Sequence, residues 1–267
     1  WVILRLQAEK QEASQAACPH IGGQSGGGDD LQGSSNAVGD RNSSPPPSPP
    51  GVLSMPVRLG VIPTVAPYLL PELLTLVQEQ FPELSLQIRE SHTQTLVAEL
   101  LTGSLDLLVL ALPLEAPEIE TSELMKDRFL LAAPVERSFA PRSRVSPDLI
   151  RNDRLLLLEE GHCLRDQALA VCKLPASGGA STLGVSSLST VVQMVSSGLG
   201  LTLLPEISLR HETLHHNVKL FRFADPEPKR TLGLAWRRSS PRSRDFAELG
   251  RLIKKGLQKA ASGSTIR

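Results

Sequence analysis

The run LDLLVLAL, residues 105–112, is apolar except for Asp106. A strand that is apolar at consecutive positions has neither face in water, so it belongs inside a sheet covered on both sides. The residues before it say how that sheet is built. Val57, Leu59 and Val61 alternate with Arg58 and Gly60, the period of a strand. Leu69, Leu70, Leu73, Leu74 and Val77 recur at helical spacing, which predicts a helix to Gln80 with Pro71 tolerated in its first turn. Leu84, Leu86 and Ile88 alternate again. Leu96, Val97, Leu100 and Leu101 form a second helical stripe, with Gly103 as its C-cap. The order strand, helix, strand, helix, strand predicts a parallel sheet with right-handed crossovers.

A second α/β unit follows. Strands are expected over 129–134, 155–159, 201–205, 218–223 and 231–236, and helices over 162–172 and 187–197, with Gly198 ending the latter. Phe246, Leu249, Leu252, Ile253 and Leu257 mark a closing amphipathic helix. The pattern divides the chain into a head over 1–55, a first unit over 56–128, a second over 129–231, and a return to the first with the closing helix over 232–267. Two such units joined by crossing strands leave a cleft, and ligands in these folds sit at the carboxyl ends of the strands.

Composition narrows the function classes. The 267 residues carry 28 basic and 28 acidic side chains, which sets aside a globally cationic nucleic-acid binder. Residues 228–267 hold 11 basic and 2 acidic residues; a solvated helix face explains them, with DNA phosphates or an acidic partner as the alternative. No stretch approaches the ~20 consecutive apolar residues of a membrane span. Three cysteines are too few for a disulfide-stapled scaffold or a four-thiolate zinc site. Residues 20–51 hold 8 Gly, 6 Ser and 5 Pro, so this head is expected to be disordered, with Pro45 to Pro50 as a weak proline-rich ligand. Residues 1–18 could begin as a short amphipathic helix, and they lack the pattern of a secretory signal. A cytoplasmic protein is therefore expected. With Trp1 in place of Met, the chain is expected to be a fragment or the product of an irregular gene model.

The chemistry should lie at the strand ends. Thr64 and Thr93 each follow a strand and precede a helix; both read first as N-caps, a role compatible with facing a ligand. The sharper signal is GHCLRDQALAVC, residues 161–172. Cys163 follows a strand and opens a helix, with His162 and Arg165 beside it. A helix N-terminus, imidazolium and guanidinium all favour thiolate, the form that peroxide oxidises to sulfenic acid. A second thiol, Cys172, lies nine residues on. On one helix the pair would be ~13.5 Å apart and on opposite faces, whereas a disulfide needs Cα atoms within roughly 7 Å. A bond between them would thus be a conformational switch. Two unrelated buried cysteines are the alternative. His211, His215 and His216 read as a surface loop or helix, and no metal and no cofactor is expected. No G-x-S-x-G elbow or dinucleotide fingerprint is present.

RLGVIPTVAPYLLPELL, GHCLRDQALAVC, MVSSGLGLTLLP and EPKRTLGLAWR resemble the OxyR family of peroxide-sensing LysR-type transcription regulators. The resemblance runs from Pro56 to Leu257. It implies a fold like the type 2 periplasmic binding proteins, α/β with two Rossmann-like subdomains and a central cleft. It also implies that Cys163 is the peroxidatic cysteine and Cys172 its resolving partner. Thr64, Thr93 and His162 match positions lining the peroxide pocket, Arg165 the arginine that supports the thiolate, and Asp166 a supporting residue. The implied partners are hydrogen peroxide, a thiol reductant such as glutaredoxin or thioredoxin, and further copies in a homodimer or tetramer. Residues 1–55 lack the family's winged helix-turn-helix, so RNA polymerase and promoter DNA are expected only for the full-length parent; Cys18 stands outside the key pair. Two other readings stay open: a LysR-type effector domain that binds a small organic ligand without thiol chemistry, and a thiol peroxidase. A periplasmic solute-binding protein fits the fold without a matching export signal.

Overall fold

The computed structural model describes residues 2–4, 53, 55–139, 144–174, 181–182, 184–213 and 217–262. The expected low-complexity head, Pro45 to Pro50, Cys18, His215 and His216 lie outside them. The start of the chain departs from expectation: Val2–Leu4 form a strand, β1, rather than a helical turn, paired antiparallel with Leu86–Ile88.

The first unit follows its pattern closely. Strand β2 (Val57–Val61) leads through α1 (Ala66–Gln80) to β3 (Leu86–Glu90), and α2 (Thr93–Leu101) leads to β4 (Leu107–Leu112). Both β3 and β4 pair parallel with β2. Pro71 sits inside α1, in the second turn rather than the first, because the helix starts at Ala66. Gly103, at φ +83°, closes α2 with an N–H donated to the Leu100 carbonyl. Asp106 explains the one polar residue of the apolar run: its carboxylate accepts from the Arg58 backbone N–H and, bidentate, from the guanidinium. Gly60 is needed for close packing, since a Cβ there would lie 2.6 Å from Leu108 and 2.9 Å from Leu96 of α2.

The next strand corrects the reading of residues 119–134. They form one long strand, β5 (Ile119–Pro134), of which only the last third was expected. Its first half is exposed at most positions, so no apolar alternation announced it. β5 pairs antiparallel with β10 (Lys229–Arg237) over Ile119–Arg128, then changes partners to β8 (Thr202–Pro205) and β9 (Val218–Arg222). β10 also pairs antiparallel with β4. The sheet is therefore mixed rather than parallel throughout, in the order β1-β3-β2-β4-β10-β5-β8 with β9 on β5.

The expected strand at 155–159 shrinks to β6 (Leu156–Leu157), which pairs parallel with β7 (Ser181–Thr182). Helix α3 (Cys163–Cys172) lies between them in sequence. Helix α4 (Leu188–Ser196) buries Leu188, Val191, Val192 and Val195 and ends at Gly198, φ +80°. A short α5 (Leu209–Glu212) follows β8, and α6 (Ser243–Ser262) packs its apolar stripe against α1. Among the described residues, no helix is long and apolar enough to cross a membrane.

Candidate functional site

Three strand-to-helix turns converge at the carboxyl ends of β2, β3 and β6. They bring Thr64, the pair His92–Thr93, and Gly161-His162-Cys163 around one small pocket. A larger cleft of about 420 Å³ adjoins it, lined by Thr64, His92 and His162 together with Tyr68, Ser186, Ser187, Ser189 and Glu212.

Neither threonine is an N-cap. Val65 and His92 precede α1 and α2 without a side-chain cap bond. The Thr64 hydroxyl is instead taken by Arg230, whose Nη1 donates to it at 2.8 Å while Nη2 donates to the Thr64 carbonyl at 3.2 Å. Arg230 is held in turn by Asp127, Nε to Oδ2 at 2.9 Å, with both side chains almost fully buried. The Ile207 N–H donates to the other Asp127 oxygen. The Thr93 hydroxyl instead hydrogen-bonds to the Cys163 thiol.

Cys163 is the first residue of α3, as expected. The Leu164 N–H donates to its sulfur, so the helix N-terminus does address the thiol. The net effect differs from the expected thiolate, however. Burial pushes the Cys163 thiol above its ordinary value, outweighing the opposing pull of Arg230, Thr93 and the Leu164 N–H. The Arg230 guanidinium supplies a charge that favours the thiolate, and Arg165 Nη1 lies 3.5 Å from Asp166 Oδ1. The Asp166 carboxylate raises the thiol rather than easing its ionisation.

His162 is 2% exposed. Burial lowers its pKa, and the neighbouring His92 adds to this against the pull of Glu159, so the ring is neutral near pH 7. Its Nε2 meets His92 Nε2 at 3.1 Å, the rings edge to face with centroids 4.3 Å apart. Gly161, at φ +98°, makes the turn that permits this, since a Cβ there would be 3.0 Å from His92 Nδ1. Among the described residues one group of side chains has metal-ligand spacing: His92, Glu159 and His162. His211 lies exposed on α5 beside the Tyr68 ring.

Cys172 is the last residue of the same helix, 2% exposed, its thiol pushed up to about 11 by burial. Lys173 ends α3 in the left-handed region at φ 52°. Both cysteines are free thiols. The helix is continuous between them, so the separation of ~13.5 Å worked from ideal helix geometry holds for this state.

Sequence reasoning missed Arg230, Asp127 and His92. Asp127 and Arg230 are 103 residues apart and look like ordinary strand charges until β5 and β10 pair. His92 carried no motif.

A family model described as the LysR substrate binding domain matches residues 50–258. A "probable hydrogen peroxide-inducible genes activator" of Streptomyces viridosporus is 44% identical over 204 residues, covering 76% of this chain and 65% of the relative. The Escherichia coli K12 "DNA-binding transcriptional dual regulator OxyR" is 36% identical over 202 residues, covering 76% and 66%. A hydrogen-peroxide-bound cysteine mutant of Corynebacterium glutamicum OxyR superposes with a TM-score of 0.75 at 33% identity, over 80% of this chain and 68% of that one. The reduced OxyR regulatory domain of Pseudomonas aeruginosa gives 0.68 at 35% identity, over 76% and 97%. The chain spans 64–65% of the length of its streptomycete and mycobacterial relatives. With its type 2 periplasmic-binding-protein-like α/β fold, the chain belongs to the family of LysR substrate-binding domains and is OxyR-like within it.

Proposed function

We propose that this chain is the hydrogen-peroxide-sensing regulatory domain of a LysR-type transcription regulator, switched by a reversible Cys163–Cys172 disulfide. The observation that carries the reading is the setting of Cys163. Its sulfur receives hydrogen bonds from Thr93 and the Leu164 N–H under the charge of Arg230, and a second thiol closes the same helix. The thiol rests protonated and becomes reactive when peroxide enters and a proton leaves the sulfur; neutral His162 is the adjacent acceptor.

The thiolate attacks one peroxide oxygen, the O–O bond breaks, and hydroxide leaves with a proton as water. Cys163 is then a sulfenic acid. The Cys172 thiol attacks that sulfur and expels a second water, leaving a disulfide. One peroxide is reduced and two thiols are oxidised, so the event is stoichiometric and the domain is a switch rather than a turnover enzyme. A thiol reductant of the glutaredoxin or thioredoxin kind resets it.

The domain division read from the sequence belongs to this proposal: a first subdomain over 56–128 and 232–267, and a second over 129–231 that carries the cysteines. A homodimer or tetramer would relay the refolding of the cysteine segment to promoter DNA and RNA polymerase through the parent's DNA-binding part, in the cytoplasm. The cleft of about 420 Å³ with its cluster of serines favours one rival, an effector domain that binds a small organic ligand.

Thiol mapping by mass spectrometry after a stoichiometric peroxide pulse separates the two. A Cys163–Cys172 bridge that a reductant reopens is the expected result. Intact thiols in a folded protein would reject the switch and leave the ligand-binding reading.

A further inference from the structure

We propose that His92, Glu159 and His162 form a binding site for a divalent transition-metal ion of the zinc class, at the mouth of the thiol pocket. The three side chains come from separate turns: His92 ends the loop before α2, Glu159 follows β6, and His162 immediately precedes α3. One ligand atom from each lies within 4.8 Å of the others. The two Nε2 atoms are 3.1 Å apart and Glu159 Oε1 is 4.0 Å from His162 Nε2. Tetrahedral zinc with bonds of about 2.0–2.1 Å places its ligand atoms about 3.3 Å from one another. The imidazoles are thus already at ligand spacing. Only the carboxylate has to approach, and the Glu159 side chain is 40% exposed and free to turn.

The donor set suits the ion. Two imidazoles and one carboxylate favour zinc and its neighbours over the hard, all-oxygen cations. His92 and His162 also line the cleft of about 420 Å³, which leaves room for water or another ligand at the fourth position. Without an ion, the Nε2 contact is an N–H···N bond. One ring then has to donate; with an ion bound neither does, and the ring proton of His162 sits on its buried Nδ1, which has no hydrogen-bond partner among the described residues. An ion accepts both lone pairs at once. Gly161 at φ +98° is what lets the turn bearing Glu159 and His162 close on the His92 ring.

The consequence for Cys163 rests on the peroxide-sensing reading. His162 adjoins Cys163 and lines the same pocket as Thr64 and Thr93. An ion on His162 pins the start of α3 and screens the pocket, so the loaded domain reacts more slowly with peroxide. Unwinding of α3 carries His162 away from His92, so oxidation releases the ion. By linkage, what the ion does to oxidation, oxidation does to ion affinity.

The test uses the full chain, reduced, with Zn²⁺ in competition against a chromophoric chelator and Co²⁺ as a spectroscopic probe. One equivalent should bind, with Co²⁺ visible bands but no thiolate charge-transfer band, and binding should persist in Cys163→Ser. His92→Gln and Glu159→Gln should each weaken it by at least about tenfold, since even indirect supports of a metal ligand are worth that much. Glu159→Gln, at a partly exposed side chain, keeps the test sound if His92→Gln misfolds. Affinity unchanged in both variants would place the ion elsewhere, such as on His211 and His215, and overturn the proposal; so would a charge-transfer band that vanishes in Cys163→Ser. Binding needs no peroxide. A chain that binds zinc as described yet keeps its thiols under peroxide would retain the site and lose the sensing role, whereas a peroxide-responsive chain without zinc affinity would do the reverse.

Discussion

Replacing Arg230 with Met should separate what holds the domain together from what makes it reactive. The Arg230 guanidinium is 1% exposed and the Asp127 carboxylate 0%. Removing one partner of such a pair leaves the other charge buried and uncompensated, at about 3–5 kcal/mol. Asp127 keeps only the Ile207 N–H, and since burial already drives its carboxyl towards the protonated form, taking up a proton limits the damage. Thr64 also loses two donors, worth about 1 kcal/mol each. The expected loss for Arg230→Met is therefore about 4 kcal/mol, and that for Asp127→Leu about 3–4 kcal/mol. The double variant buries no charge, so it should lose about 2–3 kcal/mol, for the unpaired Ile207 N–H and Thr64 groups. Urea denaturation under reducing conditions measures all three, and the non-additivity is the signature of the pair. Reactivity should not recover with stability. Arg230 is the charge that draws the Cys163 thiol towards ionisation, so sulfenic acid formation should be slow in Arg230→Met and equally slow in the double variant. Additive losses, or a folded Arg230→Met that reacts at the parent rate, would refute the reasoning.

Three other outcomes are expected. Cys172→Ser should stop oxidation at the sulfenic acid, seen as a persistent dimedone adduct on Cys163; a mixed disulfide or no adduct would contradict the assigned order of attack. Stability should fall as pH rises from about 9 to about 11, because the folded chain keeps the Cys172 proton that the unfolded chain has already released. The Cys172 share of that fall, about 3 kcal/mol at most, should be absent from Cys172→Ala when urea midpoints are followed over that range, leaving the shares of the Cys163 thiol and the Tyr68 hydroxyl, which burial also raises. Gly161→Ala should cost at least about 1–2 kcal/mol, since it forces an L side chain to φ +98° and against the His92 ring; an unchanged urea midpoint would mean that the turn relaxes freely.

The fold was legible where burial writes a period into the sequence. LDLLVLAL gave β4 because β2 and β10 flank it and helices cover it, and α6 was read from Phe246, Leu249, Leu252, Ile253 and Leu257, all buried. Residues 119–128 were missed for the opposite reason: half of their side chains are exposed and the buried ones do not alternate, and the strand exists through its ladder to β10, which no local pattern encodes. Leu155–Leu158 misled in the other direction. Their run is apolar because it is buried, yet only Leu156 and Leu157 find a ladder partner in β7. At the site, the positions of Cys163, His162, Thr64 and Thr93 followed from the rule that strand-to-helix turns meet at the sheet's carboxyl edge. Their chemistry did not follow. The sequence suggested thiolate beside Arg165, whereas the structure buries the thiol and brings the Arg230 guanidinium to it from 67 residues further along the chain.

On the proposed reading, α3 has two incompatible tasks, and that incompatibility makes a switch rather than a catalyst. The N–H of Leu164 reaches the Cys163 sulfur only while the helix is wound. The disulfide forms only when it is not, because a wound α3 holds its ends ~13.5 Å apart. Ten residues are too few for a helix to persist on its own, which takes about 12–15. What keeps α3 wound is the burial of Leu164, Ala168, Leu169 and Cys172, and the two leucines contribute roughly 2–3 kcal/mol each. That is a barrier to idle unwinding, yet small enough for a sulfenic acid facing a thiol to overcome. Once the bridge closes, the pocket that admitted peroxide no longer exists, so a second peroxide meets no reactive sulfur until a reductant lets α3 wind again. On that reading each further reaction has to wait for a reductant to rewind α3, an arrangement that suits a switch.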